Sequence, residues 1–430
     1  MTSPLPEARV SAGLVDSTAA SVASFLTGLL AIWTLSPNEL GVYAVFMSAF
    51  LMTTYIPRQF VFIPVEMASL AMTRHQRGSV LRRSVRVGAG VSLLAALATG
   101  LAWPVSLSMA EPEFLAPMTA TAMMATLLSP IQDHVRRLLH LAGRSWRAGL
   151  VSVTQLVVVT VQIGLVAGPT RVFEIDSAWL PFGALTFANL ISLALGAVMS
   201  RSDAEVTGAG DLTLAALSRP GRWLVLSALS SKGSVFAASA LIGLVAGTEA
   251  LGHAEAARVV AQPLMVLGVG LQDVMSPRLM EAGARRDLGE SLKAEQAFFR
   301  LFLLLGGGYL LVASTDWIGN PMSYLVPTAY EVPGLVAVSI VATVLVSSVY
   351  PHRLELLGGL RHRHLARVDT VAGLGTLLIA LTAAVTLAFA RPASVAVQGL
   401  VQMLGYREGA RRVFADASNE DGAATMADRT

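Results

Sequence analysis

Two things are scarce in this chain: cysteine and charge. None of the 430 residues is cysteine, which excludes a disulfide framework, a thiol nucleophile, thiolate metal sites and a lipidated N-terminal cysteine. Asp, Glu, Lys and Arg together make up 14% of the sequence. Soluble domains carry roughly 25%, so this chain lacks the polar surface to cover a globule of its size in water. What it has instead is apolar: 54% of residues are hydrophobic and the mean hydropathy is +0.63. Such a chain needs a bilayer as its solvent. The isoelectric point near 9.4 does not point to a nucleic-acid partner, because the basic residues lie in short clusters between apolar runs, the spacing of membrane topology. The segment Met1 to Val10 has no basic region followed by a small-residue cleavage site, so the first apolar stretch reads as a retained helix.

A transmembrane helix needs roughly 20 mostly apolar residues. Twelve runs meet that demand, near 10–34, 41–70, 87–109, 114–133, 149–168, 178–200, 223–247, 252–276, 297–316, 332–352, 370–390 and 392–406. The second is continuous only if Pro57 and Pro64 sit inside it, and the eighth only if Pro263 does. Membrane helices tolerate this where neighbours re-satisfy the freed carbonyls. Lysines and arginines concentrate in the loops after even-numbered spans and in the two terminal segments. The exceptions are Arg171, Arg258 and Arg391, assigned to the opposite loops, and Arg58 and Lys232, which fall inside spans. By the positive-inside rule both termini of this multi-pass protein are expected in the cytoplasm, with an even number of spans.

The link Arg201 to Arg222 is rich in Gly, Ser and Asp and falls at mid-chain. It divides an N-terminal bundle of six helices (1–200) from a C-terminal one (223–413), with 201–222 as cytoplasmic linker and 414–430 as a tail expected to be disordered. A faint repeat supports the halves. Ser36-Pro37-Asn38-Glu39-Leu40-Gly41 opens the second span and Gly247-Thr248-Glu249-Ala250-Leu251-Gly252 opens the eighth, at an offset of 211, with only Leu and Gly in strict alignment.

The run Phe25-Leu26-Thr27-Gly28-Leu29-Leu30 followed by Leu35 to Ala44 resembles the first two helices of bacterial polysaccharide flippases. These belong to the multidrug/oligosaccharidyl-lipid/polysaccharide exporter superfamily. Gln132-Asp133-His134-Val135-Arg136-Arg137 with Leu141-Ala142-Gly143-Arg144, and Gln262-Pro263-Leu264 through Ser276-Pro277-Arg278-Leu279, are similar to that family's helix 4–5 link and eighth helix. The resemblance implies an all-α membrane protein of two six-helix bundles around a central cavity lined by helices 1, 2, 7 and 8. It implies movement of a lipid-linked oligosaccharide or polysaccharide precursor by alternating access.

A charge inside a span costs at least a few kcal/mol unless it is paired or hydrated, and so marks a candidate site. Arg58 and Lys232 are the candidate substrate-binding residues, since Arg grips phosphate with two donors and Lys supplies a mobile point charge. Asp16 and Asp273 are the candidate charge-balancing or ion-coupling groups. Structural readings compete: Arg58 could pair with Asp16, Lys232 lies among the small residues Ser230, Ser231, Gly233 and Ser234, and Asp273 and Glu66 lie near the interface. The alternative function is a proton- or sodium-coupled small-molecule exporter of the same fold. A membrane glycan polymerase would need a sizeable outer loop, and none is present; no catalytic residue, cofactor or metal is expected. The expected partners are the lipid bilayer and the lipid-linked glycan.

Overall fold

The computed structural model describes residues 7–69, 74–166, 175–200, 214–314, 320 and 324–427. Regular structure among the described residues is helical throughout. The first half comprises α1 (Glu7–Thr34), α2 (Pro37–Pro57), a π-helical turn (Arg58–Phe62), α3 (Ile63–Ser69), α4 (Arg74–Thr99), α5 (Ala102–Ser106), α6 (Pro112–Leu141), α7 (Ser145–Val166) and α8 (Leu180–Ser200). The second comprises α9 (Leu214–Val245), α10 (Thr248–Arg285), α11 (Leu288–Ser314), α12 (Leu335–Ser347), α13 (Tyr350–Gly358), α14 (His362–Ala380), α15 (Ala383–Thr386) and α16 (Ala390–Ala427).

Among these, eleven helices are long and apolar enough to cross a membrane, from Ser11–Thr34 to Ala383–Ala415. They coincide with eleven of the twelve expected runs. The remaining run, expected at 370–390, is displaced: its helix is α14, which begins at His362 and takes Arg363, Arg367 and Asp369 into its length. Hydropathy placed those residues in a loop, whereas partners on neighbouring helices hold Asp369 inside the bundle. The last run, expected to be short, is a helix of 38 residues that runs to Ala427. At mid-chain, 201–213 lies outside the described residues and α9 begins at Leu214, inside the expected linker.

Local chemistry sets several boundaries. Ser36 caps α2 in a reciprocal box: Glu39 N–H donates to Ser36 Oγ at 3.4 Å, and Ser36 N–H to Glu39 Oε2 at 2.7 Å. Pro37 occupies the first turn, where its missing N–H costs nothing. Between Pro57 and Pro64 the backbone widens into the π-turn, closed by Ile63 N–H on the Arg58 carbonyl. Pro64 cannot donate to the Phe60 carbonyl four residues back, which suits the wider π-helical pattern. Gly221 of α9 packs on that carbonyl, so closely that a Cβ there would stand 2.8 Å from the oxygen. The π-turn within the second span is thus a contact point for the other half.

Each half repeats one pattern of neighbours. In the first, α1 packs on α7, α2 on α4 and α6, and α8 on α6 and α7. In the second, α9 packs on α14, α10 on α11, α12 and α13, and α16 on α12 and α14. Across the halves α2 touches both α9 and α10, and α1 touches α10. The four central helices are therefore those the resemblance implied. Large apolar side chains face outward, among them Leu94 at 66%, Leu304 at 73% and Leu378 at 65% exposure. Such a belt is costly in water and at ease in lipid. Inside the first half, Thr53, Thr99 and Thr126 join α2, α4 and α6 through hydroxyl contacts of 2.7 and 2.9 Å, the kind of polar link that ties membrane helices together.

Candidate functional site

Arg58 leaves α2 at the π-turn, and Lys232 stands mid-way along α9. The two helices pack so that both cations approach one aromatic ring. The Arg58 guanidinium carbon lies 5.6 Å from the Tyr55 ring centre, and Lys232 Nζ lies 5.6 Å from the same centre. Both distances suit cation–π attraction. Among the described residues no carboxylate comes within 4.0 Å of either cation, and Arg58 Nε is buried without a hydrogen-bond partner. A third cation, Arg353 of α13, bears electrostatically on Tyr55, Asp369 and Tyr406. Arg58, Lys232 and Arg353 thus gather in a patch about Tyr55 where the two halves meet, with Asp133, Glu66 and Asp369 acting on them from beyond ion-pair distance.

Asp16 does not serve this patch. Ser152 Oγ of α7 donates to Asp16 Oδ1 at 2.5 Å, His140 Nε2 of α6 lies 2.9 Å from Oδ2, and Arg136 Nε lies 3.6 Å from Oδ1. The expected balancing of Arg58 by Asp16 is therefore replaced by pairing within the first half, because α1 packs on α7 and not against the π-turn. Glu66 likewise is bound in, 3.2 Å from His134 Nδ1 and 3.5 Å from Arg137 Nη1. Ser84 contacts the other His134 nitrogen at 2.8 Å, and Phe62 stacks on the ring at 4.2 Å between centres. Asp133 joins Arg136 at 2.7 Å and Arg137 at 3.4 Å. One polar network thus ties five helices of the first half together. Asp273 lies in α10, and its side chain lies outside the described residues.

The second half carries a matching network with its polarity exchanged. Asp369 of α14 is fully buried and accepts from Ser227 of α9, from Tyr406 and, at 2.6 Å, from Gln402 Nε2. Gln398 Nε2 donates to Ser231 Oγ at 2.6 Å beside Lys232. Where the first half sets an Asp on its first helix and a Ser on its fifth, the second sets the Ser first and the Asp fifth. Asp16 and Ser227 are separated by the same offset of 211 as the faint repeat.

Two arginines assigned to outer loops are also inside. Glu255 of α10 is fully buried, takes two bonds from Arg258 at 2.9 and 2.7 Å, and meets Arg391 of α16 at 2.5 Å. A small cavity of about 40 Å³ opens beside them, lined also by Ser339 and Thr343. The buried acid is paired with both arginines, and loops were assigned here only because hydropathy could not show the pairing.

At the α1–α2 end the halves are joined. Tyr330 donates to the Leu35 carbonyl at 2.5 Å, Trp33 Nε1 to the Leu325 carbonyl at 2.7 Å, and Thr248 Oγ1 to Asn38 Oδ1 at 2.8 Å. Burial, with the Glu39 carboxylate nearby, pushes the Tyr330 hydroxyl above its ordinary pKa, so it remains a donor.

Sequence reasoning missed Arg353, Asp369 and Tyr55. Arg353 sits one residue past the expected end of the tenth span and Asp369 one before the expected start of the eleventh, so boundary errors of a residue or two hid both. Tyr55 carried no signal, because an aromatic inside an apolar run is ordinary.

No protein-family model and no curated protein matches the chain. Solved structures do share its fold. An inward-facing multidrug resistance MATE family transporter of the MOP superfamily superposes with a TM-score of 0.68 at 13% identity, covering 94% of this chain and 98% of that one. An outward-facing structure of such a transporter gives 0.60 at 13% identity, covering 95% of each chain. A MOP superfamily transporter from Pyrococcus furiosus, described as having a binding pocket of reverse polarity that suggests a different function, gives 0.61 at 14% identity, covering 95% of each chain. The fold is thus MATE-like, with two bundles of six helices. The multidrug-type likenesses do not single out the polysaccharide flippase branch to which the sequence bears its resemblance.

Proposed function

We propose that this protein is a membrane transporter working by alternating access, and that the patch between α2, α9 and α13 receives an anionic substrate. The observation that carries this reading is the approach of Arg58 and Lys232 to the single ring of Tyr55, with no carboxylate within 4.0 Å of either among the described residues and Asp133 and Glu66 acting on Arg58 only from farther off. A cationic drug would be repelled there; a phosphate or pyrophosphate would supply the missing counter-charge. The substrate class that fits both this chemistry and the sequence resemblance is a lipid-linked oligosaccharide, its pyrophosphate held by Arg58 and Lys232 and its lipid left among the outward-facing apolar side chains. The arginine-rich end then belongs in the cytoplasm by the positive-inside rule, with both termini on that side of a bacterial inner membrane.

The second reading, a proton- or sodium-coupled exporter of small molecules, draws on the fold, and the structural likenesses taken alone favour it. It would place ion coupling on Asp16 or on Asp369, both of which are buried and bonded across helices. The chemistry of the patch separates the two readings.

The test is thermal unfolding of the purified chain in nanodiscs with a polyprenyl-pyrophosphate sugar, inorganic pyrophosphate, sodium and cationic drugs as ligands. Stabilisation by the lipid-linked sugar that Arg58→Ala and Lys232→Ala both abolish supports the flippase reading. A shift with inorganic pyrophosphate alone keeps the anionic site but removes the lipid-linked substrate. A shift with sodium or cationic drugs and none with either anion overturns the anionic site in favour of the exporter.

A further inference from the structure

A second cluster of ligating side chains lies away from the central patch, on the far side of α13. Glu295 stands two turns into α11, and His352 and Glu355 stand one turn apart on α13. His352 Nδ1 lies 2.7 Å from Glu295 Oε1 and 3.4 Å from Glu355 Oε2. One donor atom from each residue falls within 4.8 Å of the others. Glu355 is fully buried and His352 is 5% exposed, while the Glu295 side chain is 17% exposed. Ser291, one turn before Glu295, donates to the remaining oxygen of Glu355.

One imidazolium balances one carboxylate of this cluster, and the second carboxylate needs a proton or a cation. Two carboxylates face a single imidazole nitrogen, which can donate one proton to one of them. Arg407 bears electrostatically on Glu295, but among the described residues it forms no ion pair with it. A buried carboxylate without compensation is expensive, and a bound cation or an extra proton removes the cost.

We propose that Glu295, His352 and Glu355 form a three-ligand site for a divalent first-row transition ion, with Zn²⁺ as the expected occupant. The donor set of one imidazole nitrogen and two carboxylate oxygens suits such an ion better than Ca²⁺ or Mg²⁺, which take all-oxygen shells. Zinc bonds of about 2.0–2.2 Å in a tetrahedron set donor atoms roughly 3.3–3.5 Å apart. The His352–Glu355 separation already meets that spacing. The His352–Glu295 contact, a hydrogen bond without metal, has to widen by less than about 1 Å, and Glu295 is the ligand with room to move. Ser291 orients Glu355 from behind, as outer-shell donors do at metal sites. Glu295 is the ligand that reaches the surface, and the exposed Asp287 and Glu290 precede it at the start of α11. Three protein ligands leave a fourth position for water. Because α13 carries Arg353 next to His352, an ion here would pin to α11 the helix that brings a cation to the central patch.

The competing occupant is a proton shared by the two carboxyls. To separate them, the full chain, freed of any polyhistidine tag and stripped with chelator, is titrated with Zn²⁺ and then with Mn²⁺ in nanodiscs. Retained metal is counted by mass spectrometry and thermal unfolding is followed in parallel. The expected result is one Zn²⁺ per chain, a higher Tm, and affinity reduced about 10- to 100-fold or more in Glu295→Gln and His352→Gln, with Glu290→Gln unchanged. Glu295→Gln is partly exposed and nearly isosteric, so it tests the site even if His352→Gln fails to fold. No retained metal in the wild type, or equal retention in Glu295→Gln, overturns the site and leaves the proton in its place.

Discussion

Gly41 and Gly252 each rest on the backbone of the helix that carries the other. A Cβ on Gly41 would stand 1.9 Å from the Thr248 carbonyl oxygen, and a Cβ on Gly252 would stand 1.9 Å from the Pro37 carbonyl oxygen. Pro37 and Thr248 are themselves separated by the repeat offset of 211. The contact is therefore its own image under the relation between the halves. The two residues that aligned strictly in a faint repeat include the one that lets α2 and α10 cross at backbone distance.

Any side chain at this crossing should force the helices apart. Gly41→Val and Gly252→Val are each expected to destabilise the protein by about 1–3 kcal/mol or more, since overpacking against backbone cannot be relieved by a rotamer change. Thermal unfolding in detergent measures it. A Tm equal to that of the wild type in both variants would show that the crossing is looser than described.

The same end is held by Thr248 and Asn38, and the natural absence of cysteine makes the chain a ready background for cross-linking. Asn38→Cys with Thr248→Cys should form a disulfide on mild oxidation, seen as altered gel mobility that reductant reverses. If transport requires the halves to part at this end, the oxidised protein is inactive and reduction restores it. Full transport in the oxidised form would refute alternating access through this end.

Tyr330→Phe removes the 2.5 Å bond to the Leu35 carbonyl and should cost about 1–2 kcal/mol, because a buried acceptor loses its donor. The pH dependence follows from the raised folded-state pKa. Folding favours the protonated hydroxyl, so its contribution is fully present below the unfolded value of about 10 and is lost as pH rises above it. The wild type should lose more stability than Tyr330→Phe in that alkaline range. Parallel unfolding curves for the two proteins across pH 9 to 11 would contradict this.

Asp16 and Ser152 in the first half mirror Ser227 and Asp369 with donor and acceptor exchanged. The double variant Asp16→Ser, Ser152→Asp places the pair in the polarity of the second half. It should be more stable than the sum of its single variants by about 0.5–3 kcal/mol, the range for directly bonded residues. Strict additivity would mean that Arg136 and His140, not Ser152, fix the carboxylate.

The hydropathy of a run and the spacing of charge are properties of about 20 consecutive residues, and they were enough to set the class of this protein. They indicated eleven of the spans that the structure shows and two cations, Arg58 and Lys232, that no apolar environment tolerates without reason. Span edges were less secure. A helix may carry charge into the bundle when a distant partner awaits it, as Ser227, Gln402 and Tyr406 await Asp369. Which charges meet is not written in any local stretch. Asp16 could have faced Arg58, but the packing of α1 on α7 gives it to Ser152, His140 and Arg136, residues well over a hundred positions away. Tyr55 becomes the meeting point of two cations only because α2 and α9 touch, and Glu295 meets His352 and Glu355 only because α11 lies beside α13. Burial in a membrane can be read from the chain, since it depends on composition. Partnership is decided by tertiary packing, since a buried charge settles against whichever opposite group the fold brings within a few ångströms.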